Sequence, residues 1–276
     1  MTAQKVWFIT GSSRGLGRSM AEAVLKKGDL LVATARKPEA LSDLVEQYGE
    51  QICPIALDVT NEAAVFTAVR KAAEVFGRLD VVVNNAGYGD VSSIEDVSLK
   101  DFRAQIDTNF YGVVYVTQAA LPILRKQGAG HIIQISSVGG RIGSAGLSAY
   151  QSAKWAVGGF SEVLAQETAP FGIKVTVIEP GGMRTDWAGS SMTIPPVTEP
   201  YEQTIGSFVS MLREHSGQEP GDPDRVANVV LEVAGLEEPP LRLLIGNDAV
   251  HYAGLAMQAR AESDAKWRHL SEAVNL

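Results

Sequence analysis

Short apolar runs alternate along the chain with longer segments in which apolar residues recur every three or four positions. The short runs are typical of buried parallel strands, and the longer segments of the helices that cover them. We predict strands at residues 6–9, 30–34, 52–57, 81–83, 131–135, 174–178 and 241–245, and helices at residues 15–27, 38–48, 61–76, 99–126, 149–168 and 224–233. The pattern favours an α/β fold, with seven strands in one doubly wound parallel sheet flanked by helices.

Three segments add detail to this alternation. Ser98 and Asp101 give the helix at 99–126 a capping-box-like start, and Pro122 is expected to bend that helix or end it early. Residues 181–223 are rich in Gly, Pro, Ser, Thr and Met, which predicts a mobile excursion with a substrate lid at about residues 182–222. The carboxyl end, residues 247–276, is expected to form a helical extension of one or two helices.

Composition narrows the class of protein. The 276 residues fit one large domain or two small ones, and the net charge of −8, without a basic run, argues against a nucleic-acid partner. Cys53 is the only cysteine, and its apolar neighbours suggest a buried thiol in a reducing compartment. The amino end lacks a signal-type pattern, and no run of about 18 apolar residues occurs. We therefore expect a soluble, cytoplasmic, unprocessed protein with small-molecule partners.

The turn after the first predicted strand reads T-G-S-S-R-G-L-G and leads directly into a helix. Glycines let the backbone approach a phosphate closely, and the start of a helix offers free N–H groups. An ordinary glycine-rich turn is the alternative, but the strand–turn–helix order favours a pyrophosphate site. The candidate cofactor-binding residues here are Gly11, Ser13, Arg14, Gly15, Leu16 and Gly17.

The end of the second predicted strand bears on the choice of nucleotide. A carboxylate at this place accepts hydrogen bonds from the ribose hydroxyls of NAD, but here Arg36 and Lys37 follow the strand. Together with Arg14 in the preceding turn, these cations favour the 2′-phosphate of NADP(H) over NAD(H). A solvated Arg-Lys pair is the alternative, above all for Lys37.

Tyr150 and Lys154 are four residues apart, so a helix places both side chains on one face, one turn apart. A nearby ammonium lowers the pKa of a phenol, which is ordinarily about 10, and so suits it to acid–base catalysis. Ser136 and Ser137 follow a buried strand, where a hydroxyl can hold a substrate oxygen beside the phenol. A solvated helix with a chance Tyr and Lys is the alternative.

Taken together, these motifs resemble those of the classical short-chain dehydrogenase/reductase family. The T-G-x-x-x-G-x-G turn lies at residues 10–17, the N-N-A-G motif at 84–87 and the Y-x-x-x-K motif at 150–154, in the order and spacing of the family along nearly the whole chain. The resemblance implies a Rossmann-like fold, with Tyr150 as general acid or base. It also implies that Lys154 lowers the pKa of that tyrosine and binds the nicotinamide ribose. The family's carbonyl-polarising serine commonly lies thirteen positions before the tyrosine, which selects Ser137.

Further residues match family positions one by one, and their roles are implied by the resemblance alone. Asp58 would face the adenine amino group with Val59 beside the ring, and Asn109 would bend the long helix and hold a water in a proton relay to the lysine. The segment after the fourth strand would pass the adenine ribose, and the P-G segment after the sixth strand would contact the carboxamide and phosphate. These segments supply Asn85, Ala86 and Gly87, and Pro180, Gly181 and Thr185, respectively.

The substrate wall is expected from residues 88–91, residues 139–147 and the excursion. Adaptable methionines and aromatic side chains suit a hydrophobic or bulky carbonyl compound, although any of them can instead pack the lid against the core. The named candidates are Gly139, Leu147, Met183, Trp187, Met192, Ile194, Tyr201, Phe208 and Met211.

The sequence thus predicts an NADP(H)-dependent oxidoreductase that interconverts a ketone or aldehyde and an alcohol. A dinucleotide-sensing regulator, an NAD-dependent secondary-alcohol dehydrogenase and a different enzyme on the same scaffold are the alternatives. The carboxyl end departs from a V-D-G-G finish and is similar to the hydroxysteroid- and retinol-dehydrogenase-like branch, and the long helices suggest a homodimer or homotetramer. No metal site is expected, because no ligand-like spacing links His131, His215, His251 and His269.

Overall fold

A computed structural model describes residues 4–189 and 191–274. Within those residues the strands form one seven-stranded parallel sheet in the order β3-β2-β1-β4-β5-β6-β7, which confirms the predicted single-domain α/β fold. The strands are β1 (Val6–Ile9), β2 (Leu30–Ala35), β3 (Ile52–Ala56), β4 (Val81–Asn84), β5 (Gly130–Ile135), β6 (Ile173–Pro180) and β7 (Arg242–Ile245).

Helices make most of the connections between these strands. They are α1 (Gly15–Lys26), α2 (Ser42–Tyr48), α3 (Glu62–Phe76), α4 (Leu99–Ile106), α5 (Gly112–Gln127), α6 (Ser148–Thr168), α7 (Ser207–His215), α8 (Pro223–Val233) and α9 (Asn247–Ser271). Short 3₁₀ turns include Pro38–Leu41, which opens the helix predicted at 38–48, and Val138–Gly140 after β5. The expected one or two helices at the carboxyl end are a single helix, α9.

Alternate side chains of β1 face opposite sides of the sheet, each of which carries its own core. Trp7 packs in one cluster with Val24 of α1, and α8 covers the same face. Phe8 packs in the other cluster with Val69 of α3 and Val116 of α5. Because helices cover both faces, β1 is buried throughout, as its uninterrupted apolar run predicts.

The long helix predicted at 99–126 agrees with the structure at both ends, since α4 begins at Leu99 and α5 ends at Gln127, but a π-helical turn separates α4 from α5. Ser98 accepts a hydrogen bond from the Asp101 amide at 3.0 Å, which confirms the capping-box-like start. Of the two effects expected of Pro122, the early end does not occur, because α5 continues to Gln127, and the bend stays a prediction. Proline removes one backbone hydrogen bond, but the last turn keeps the fully buried Leu124 on the core.

Strand β6 is two residues longer at its carboxyl end than predicted. Glu179 and Pro180 pair with Leu244 and Ile245 of β7, so the strand continues to the point where the chain leaves the sheet. A glutamate and a proline are both poor strand residues, which is why the apolar pattern alone ended the strand at Ile178.

The segment between β6 and α8 folds as a lid with a small core of its own. Val91 and Leu147 pack there against Met192, Ile205 and Val209 of the lid. Polar contacts also attach the lid to the segment after β4, including hydrogen bonds from Thr193 N to Asp90 at 2.8 Å, from Thr198 to Asp96 at 2.8 Å and from Tyr201 to Glu95 at 2.7 Å. The lid is therefore held over the edge of the sheet by both apolar and polar contacts.

Cys53 on β3 is only partly buried, and desolvation raises the pKa of its thiol. A raised pKa leaves the thiol protonated and unreactive at neutral pH, in keeping with a structural role. Across the described residues, no helix combines the length and apolar character needed to cross a membrane.

His131 on β5 generates a prediction about acid stability. Its side chain is buried, its Nε2 lies 2.9 Å from Thr176 Oγ1, and desolvation lowers its pKa from 6.5 to about 3. Below pH 6.5 the unfolded chain therefore binds a proton that the folded chain does not, so the free energy of unfolding falls as the pH drops towards 3.

This histidine should lower the free energy of unfolding by up to about 1.4 kcal/mol per pH unit in that range. His131→Gln removes the titrating group, so the variant should lose stability less steeply with acid. Urea denaturation of both proteins at several pH values between about 7 and 4 measures the two slopes. Parallel slopes would contradict the prediction.

Candidate active site

A cavity of about 850 Å³ opens at the carboxyl ends of the parallel strands. Ala35 of β2 and Ile135 of β5 reach it, and so do the turns that follow β1, β4 and β6. This is the edge of a doubly wound sheet at which ligands bind. The glycine-rich turn forms one side of this crevice, and the lid forms the other.

The turn after β1 has no room for a side chain at one of its glycines. A Cβ on Gly17 would lie 2.1 Å from the carbonyl oxygen of Gly11, closer than real Cβ atoms come. Gly11 and Gly15 have φ values of 69° and 53°, in the left-handed region that favours glycine. The predicted residues of this turn, Gly11, Ser13, Arg14, Gly15, Leu16 and Gly17, all line the cavity.

Hydrogen bonds join this turn to the segment after the central strand β4. Thr10 Oγ1 accepts from the backbone amides of Asn85 at 2.9 Å and of Ala86 at 3.0 Å. The Asn85 side chain donates back to the carbonyls of Thr10 at 2.9 Å and of Gly11 at 3.1 Å. Asn85, Ala86 and Gly87 line the cavity, so the two segments form one continuous backbone wall.

The residues predicted to select NADP are placed differently from one another. Arg36 is exposed and lines the cavity, whereas the exposed Lys37 is not among the lining residues. Arg14 lines the cavity, but its guanidinium is directed at Asp186 of the lid, 3.5 Å away. Asp58 and Val59, expected beside the adenine, also line the cavity. Arg36 is thus the cation best placed to meet a 2′-phosphate.

Helix α6 carries Tyr150 and Lys154 into the cavity, with Ser137 opposite them at the end of β5. Lys154 Nζ donates a hydrogen bond to the carbonyl oxygen of Ile135 at 2.8 Å and lies 5.6 Å from the centre of the Tyr150 ring. Ser136 instead points to the Lys154 carbonyl, 3.3 Å away, which agrees with the choice of Ser137. The structure therefore brings the predicted serine, tyrosine and lysine together.

The pKa of the phenol differs from the expected direction. Burial raises the pKa of Tyr150 to about 12, and a hydrogen bond with Ser137 lowers it by less than burial raises it. Burial also lowers the pKa of Lys154 to about 8. Desolvation sets the direction of the Tyr150 shift, and the expected lowering of this pKa by Lys154 stays a prediction. The phenol is protonated at neutral pH.

Asn109 lies in a π-helical turn, Asp107–Tyr111, that joins α4 to α5. Its fully buried amide donates to the carbonyls of Tyr88 and Gln105, each at 2.8 Å, and accepts from the Tyr88 amide at 3.1 Å. This side chain does not line the cavity but holds the segment after β4 in place. The predicted irregularity of the helix is present, whereas the water relay stays a prediction.

The substrate candidates divide between the cavity wall and the lid core. Cavity-lining residues among them are Gly139, Leu147, Met183, Trp187 and Phe208. Met192, Ile194 and Tyr201 pack in the lid core instead, and Met211 is exposed. Because the lid has its own core, some of its apolar side chains pack inside the lid and not in the cavity wall.

Trp187 covers the phenol of Tyr150 from the lid side. The ring centres are 5.3 Å apart and tilted by 53°, an arrangement that suits aromatic pairs. Gly89 lies against both rings, because a Cβ there would be 2.9 Å from Trp187 and 3.2 Å from Tyr150. The phenol is therefore enclosed by one aromatic ring and by a stretch of bare backbone.

The sequence analysis missed three polar residues that line the cavity, Thr60, Thr108 and Gln151. Gln151 follows the tyrosine on α6, and its amide binds Ser144 in the opposite segment, with 2.7 Å between Gln151 Oε1 and Ser144 N. Its position next to Tyr150 was a signal that could have identified it. Further polar lining residues lie within the wall segments and the excursion that the sequence analysis expected there, namely Asp90, Ser144, Ser191, Thr193 and Glu219.

A parallel sheet with this turn and this side-chain set at its carboxyl edge defines a class of dinucleotide-dependent oxidoreductases. Residues 5–193 match the family model described as short chain dehydrogenase. The chain belongs to the short-chain dehydrogenase/reductase family, and it is an oxidoreductase of that family.

Individual relatives are similar over nearly the whole chain. "Oxidoreductase BOA17" of Botryotinia fuckeliana is 61% identical over 268 residues, which cover 97% of this chain and 98% of the relative. A short-chain dehydrogenase of Streptomyces avermitilis with a solved structure is 35% identical, with a TM-score of 0.93 and coverage of 99% and 100% of the two chains.

Among the solved relatives, one was solved with NADP and another with NADH. ElxO, solved with NADP bound, is 29% identical, with a TM-score of 0.75 and coverage of 90% of this chain and 100% of its own. A 3-ketoacyl-(acyl-carrier-protein) reductase of Brucella melitensis, solved with NADH, is 25% identical, with a TM-score of 0.73 and coverage of 87% and 96%. Binding of an NAD(P) dinucleotide is thus common among structural neighbours, without a uniform preference for either form.

The crowding at Gly17 generates a prediction. Gly17→Ala places a methyl group against the Gly11 carbonyl and so must displace the turn. We expect affinity for NADP(H) to fall by at least about tenfold and the melting temperature to fall as well, since displacing packed backbone costs roughly 1–3 kcal/mol. Fluorescence titration with NADPH measures the affinity.

Gly254→Ala is the matched control, because a Cβ on this glycine of α9 would have no neighbour within 4 Å. That variant should bind NADPH as the parent protein does and unfold at an equal or higher temperature. Unchanged NADPH affinity in Gly17→Ala would show that the turn does not hold the cofactor.

Proposed function

We propose that this protein is an NADP(H)-dependent oxidoreductase that interconverts a bulky, largely hydrophobic ketone or aldehyde and the corresponding alcohol. One observation carries the proposal: Ser137, Tyr150 and Lys154 line the same cavity as the glycine-rich turn after β1. The glycines there leave the space and the backbone amides that a pyrophosphate needs.

Each member of the set has a distinct task in the proposed reaction. NADPH, when bound, supplies the hydride for reduction. The hydroxyl of Ser137 and the phenol of Tyr150 donate hydrogen bonds to the carbonyl oxygen, and the phenol donates its proton as negative charge develops there. A pKa of about 12 keeps that proton on Tyr150 at neutral pH, which suits the reductive direction.

In the proposed reaction, the position of Lys154 matters more than its effect on the pKa of Tyr150. Its Nζ is anchored to the Ile135 carbonyl and lies beside the Tyr150 ring, where an ammonium can hold the nicotinamide ribose as the family resemblance implies. With its pKa lowered to about 8, the group is still mostly charged at neutral pH.

The wall near the phenol is mixed in character, which refines the expected substrate. Trp187, Phe208 and Leu147 offer apolar surface, while Ser144 and Gln151 offer hydroxyl and amide groups. We therefore propose a bulky ketone that also carries a polar, uncharged group. Ser144 and Gln151 already hydrogen-bond to each other, so a polar group of the substrate would add to this pair as a further hydrogen-bonding partner.

Tyr150→Phe tests the chemistry. The variant lacks the proton donor but keeps the ring, so turnover should fall by at least about 100-fold while NADPH affinity stays within about twofold. The assay follows nicotinamide absorbance with NADPH and a panel of aromatic, alicyclic and long-chain ketones, and with NADP⁺ and the matching alcohols.

Tyr115→Phe removes a hydroxyl of α5 outside the cavity and should leave turnover unchanged. Turnover in Tyr150→Phe comparable to the parent protein would remove Tyr150 from the mechanism. If the parent protein reduces none of the ketones and oxidises none of the alcohols, a dinucleotide-sensing regulator becomes the better interpretation.

Arg36→Asp tests the cofactor preference. A carboxylate at this place repels the 2′-phosphate and can accept from the ribose hydroxyls, so the ratio of kcat/KM for NADPH to that for NADH should fall by at least about tenfold. Lys37→Asp makes the same change of charge one residue further on, outside the cavity lining, and should alter the ratio several-fold less. An unchanged ratio in Arg36→Asp would exclude Arg36 as the selector.

A further inference from the structure

A buried carboxylate lies behind the loop that begins at Ser137. Glu179 of β6 is fully buried, and each of its carboxylate oxygens accepts from a different guanidinium. Oε2 accepts from Arg141 Nε at 2.7 Å, and Oε1 accepts from Arg242 Nε at 3.0 Å. The two arginines come from different parts of the fold, one from the loop after β5 and the other from β7.

Burial of a carboxylate is costly unless ion pairs and hydrogen bonds compensate it. Well-packed apolar side chains often give equal or greater stability, so a buried ion cluster is better understood as a device for fixing geometry. Here only one of the two guanidinium groups belongs to the loop that carries Ser137. The geometry fixed by the Arg141 pair is therefore that of the loop at residues 137–142.

Contacts on the other sides leave this loop little freedom. Gly140 packs on the catalytic helix α6, since a Cβ there would lie 2.9 Å from the Lys154 carbonyl oxygen. Trp155 Nε1 donates to the Ile142 carbonyl at 3.3 Å. Arg260 of α9 donates to the Arg141 carbonyl, and its guanidinium lies 4.7 Å from the centre of the Trp155 ring. The carboxyl-terminal helix thus takes part in holding the loop.

We propose that Arg141 is a positioning residue. Its ion pair with Glu179 fixes the loop at residues 137–142, and with it the Ser137 hydroxyl relative to the phenol of Tyr150, while Arg141 itself does not line the cavity. The inference rests on the proposed function, in which Ser137 and Tyr150 hold the same carbonyl oxygen. Small displacements of such a hydroxyl lower the rate of the chemical step more than they lower cofactor affinity.

Two matched variants separate positioning from general stability. Arg141→Met and Arg242→Met each leave Glu179 with one guanidinium, and both should lower the melting temperature; Arg242→Met also removes the ion pair of Arg242 with Glu162 of α6, so it is the more disruptive control. Only Arg141→Met should lower kcat for ketone reduction, by at least about tenfold, with KM for NADPH unchanged. Arg141→Lys keeps the charge and should recover part of the lost kcat. Equal losses of kcat in the two methionine variants, or no loss in Arg141→Met, would overturn the proposal.

Hydrogen exchange provides a readout that does not depend on activity. The amides of Gly140, Arg141 and Ile142 donate to the carbonyls of Ser137 and Val138 at 2.8–3.2 Å, so they report on opening of the loop. Their exchange should be faster in Arg141→Met and unchanged in Arg242→Met. If the parent protein turned over no ketone, the proposed function would fail while this comparison still decided whether Arg141 holds the loop. Equal exchange rates in the two variants would count against positioning.

Discussion

The close approach of two backbone segments at Gly17 is the constraint on which the cavity depends. The helix start there passes so near the Gly11 carbonyl that no side chain fits, and Asn85 bonds to the same carbonyl from the segment after β4. Thr10 completes the connection by accepting two amides of that segment. Because β1 and β4 are adjacent central strands, this small junction determines the shape of the cavity wall on both sides of it.

Burial governs the chemistry of the opposite wall. Trp187 and the backbone at Gly89 enclose Tyr150, so its phenol keeps a proton that an exposed phenol would lose more easily. Lys154 is buried as well, and its Nζ donates a hydrogen bond to the Ile135 carbonyl. In the proposed reaction this phenol would donate its proton to a developing alkoxide, and desolvation is the main cause of its raised pKa.

Two supports outside the cavity hold the reacting groups. Asn109, in its π-helical turn, bonds to both backbone polar groups of Tyr88 and so fixes the segment after β4. Glu179 and Arg141 secure the loop on the far side of the phenol. Polar groups that never line the cavity thus determine the distances within it, which is why small changes behind an active site can alter a reaction rate.

The sequence by itself determined the order of strands and helices, because apolar runs and helical periodicity report burial directly. It also identified the glycine turn and the Ser137, Tyr150 and Lys154 set, since motif spacing is local to a turn or a helix. Only the tertiary structure decided that burial raises the pKa of Tyr150 and that Met192 and Tyr201 pack in the lid core. It also decided that Lys37 lies outside the cavity lining and that Glu179 meets two arginines. These features arise from desolvation and from contacts between residues distant in sequence, and no local pattern encodes either.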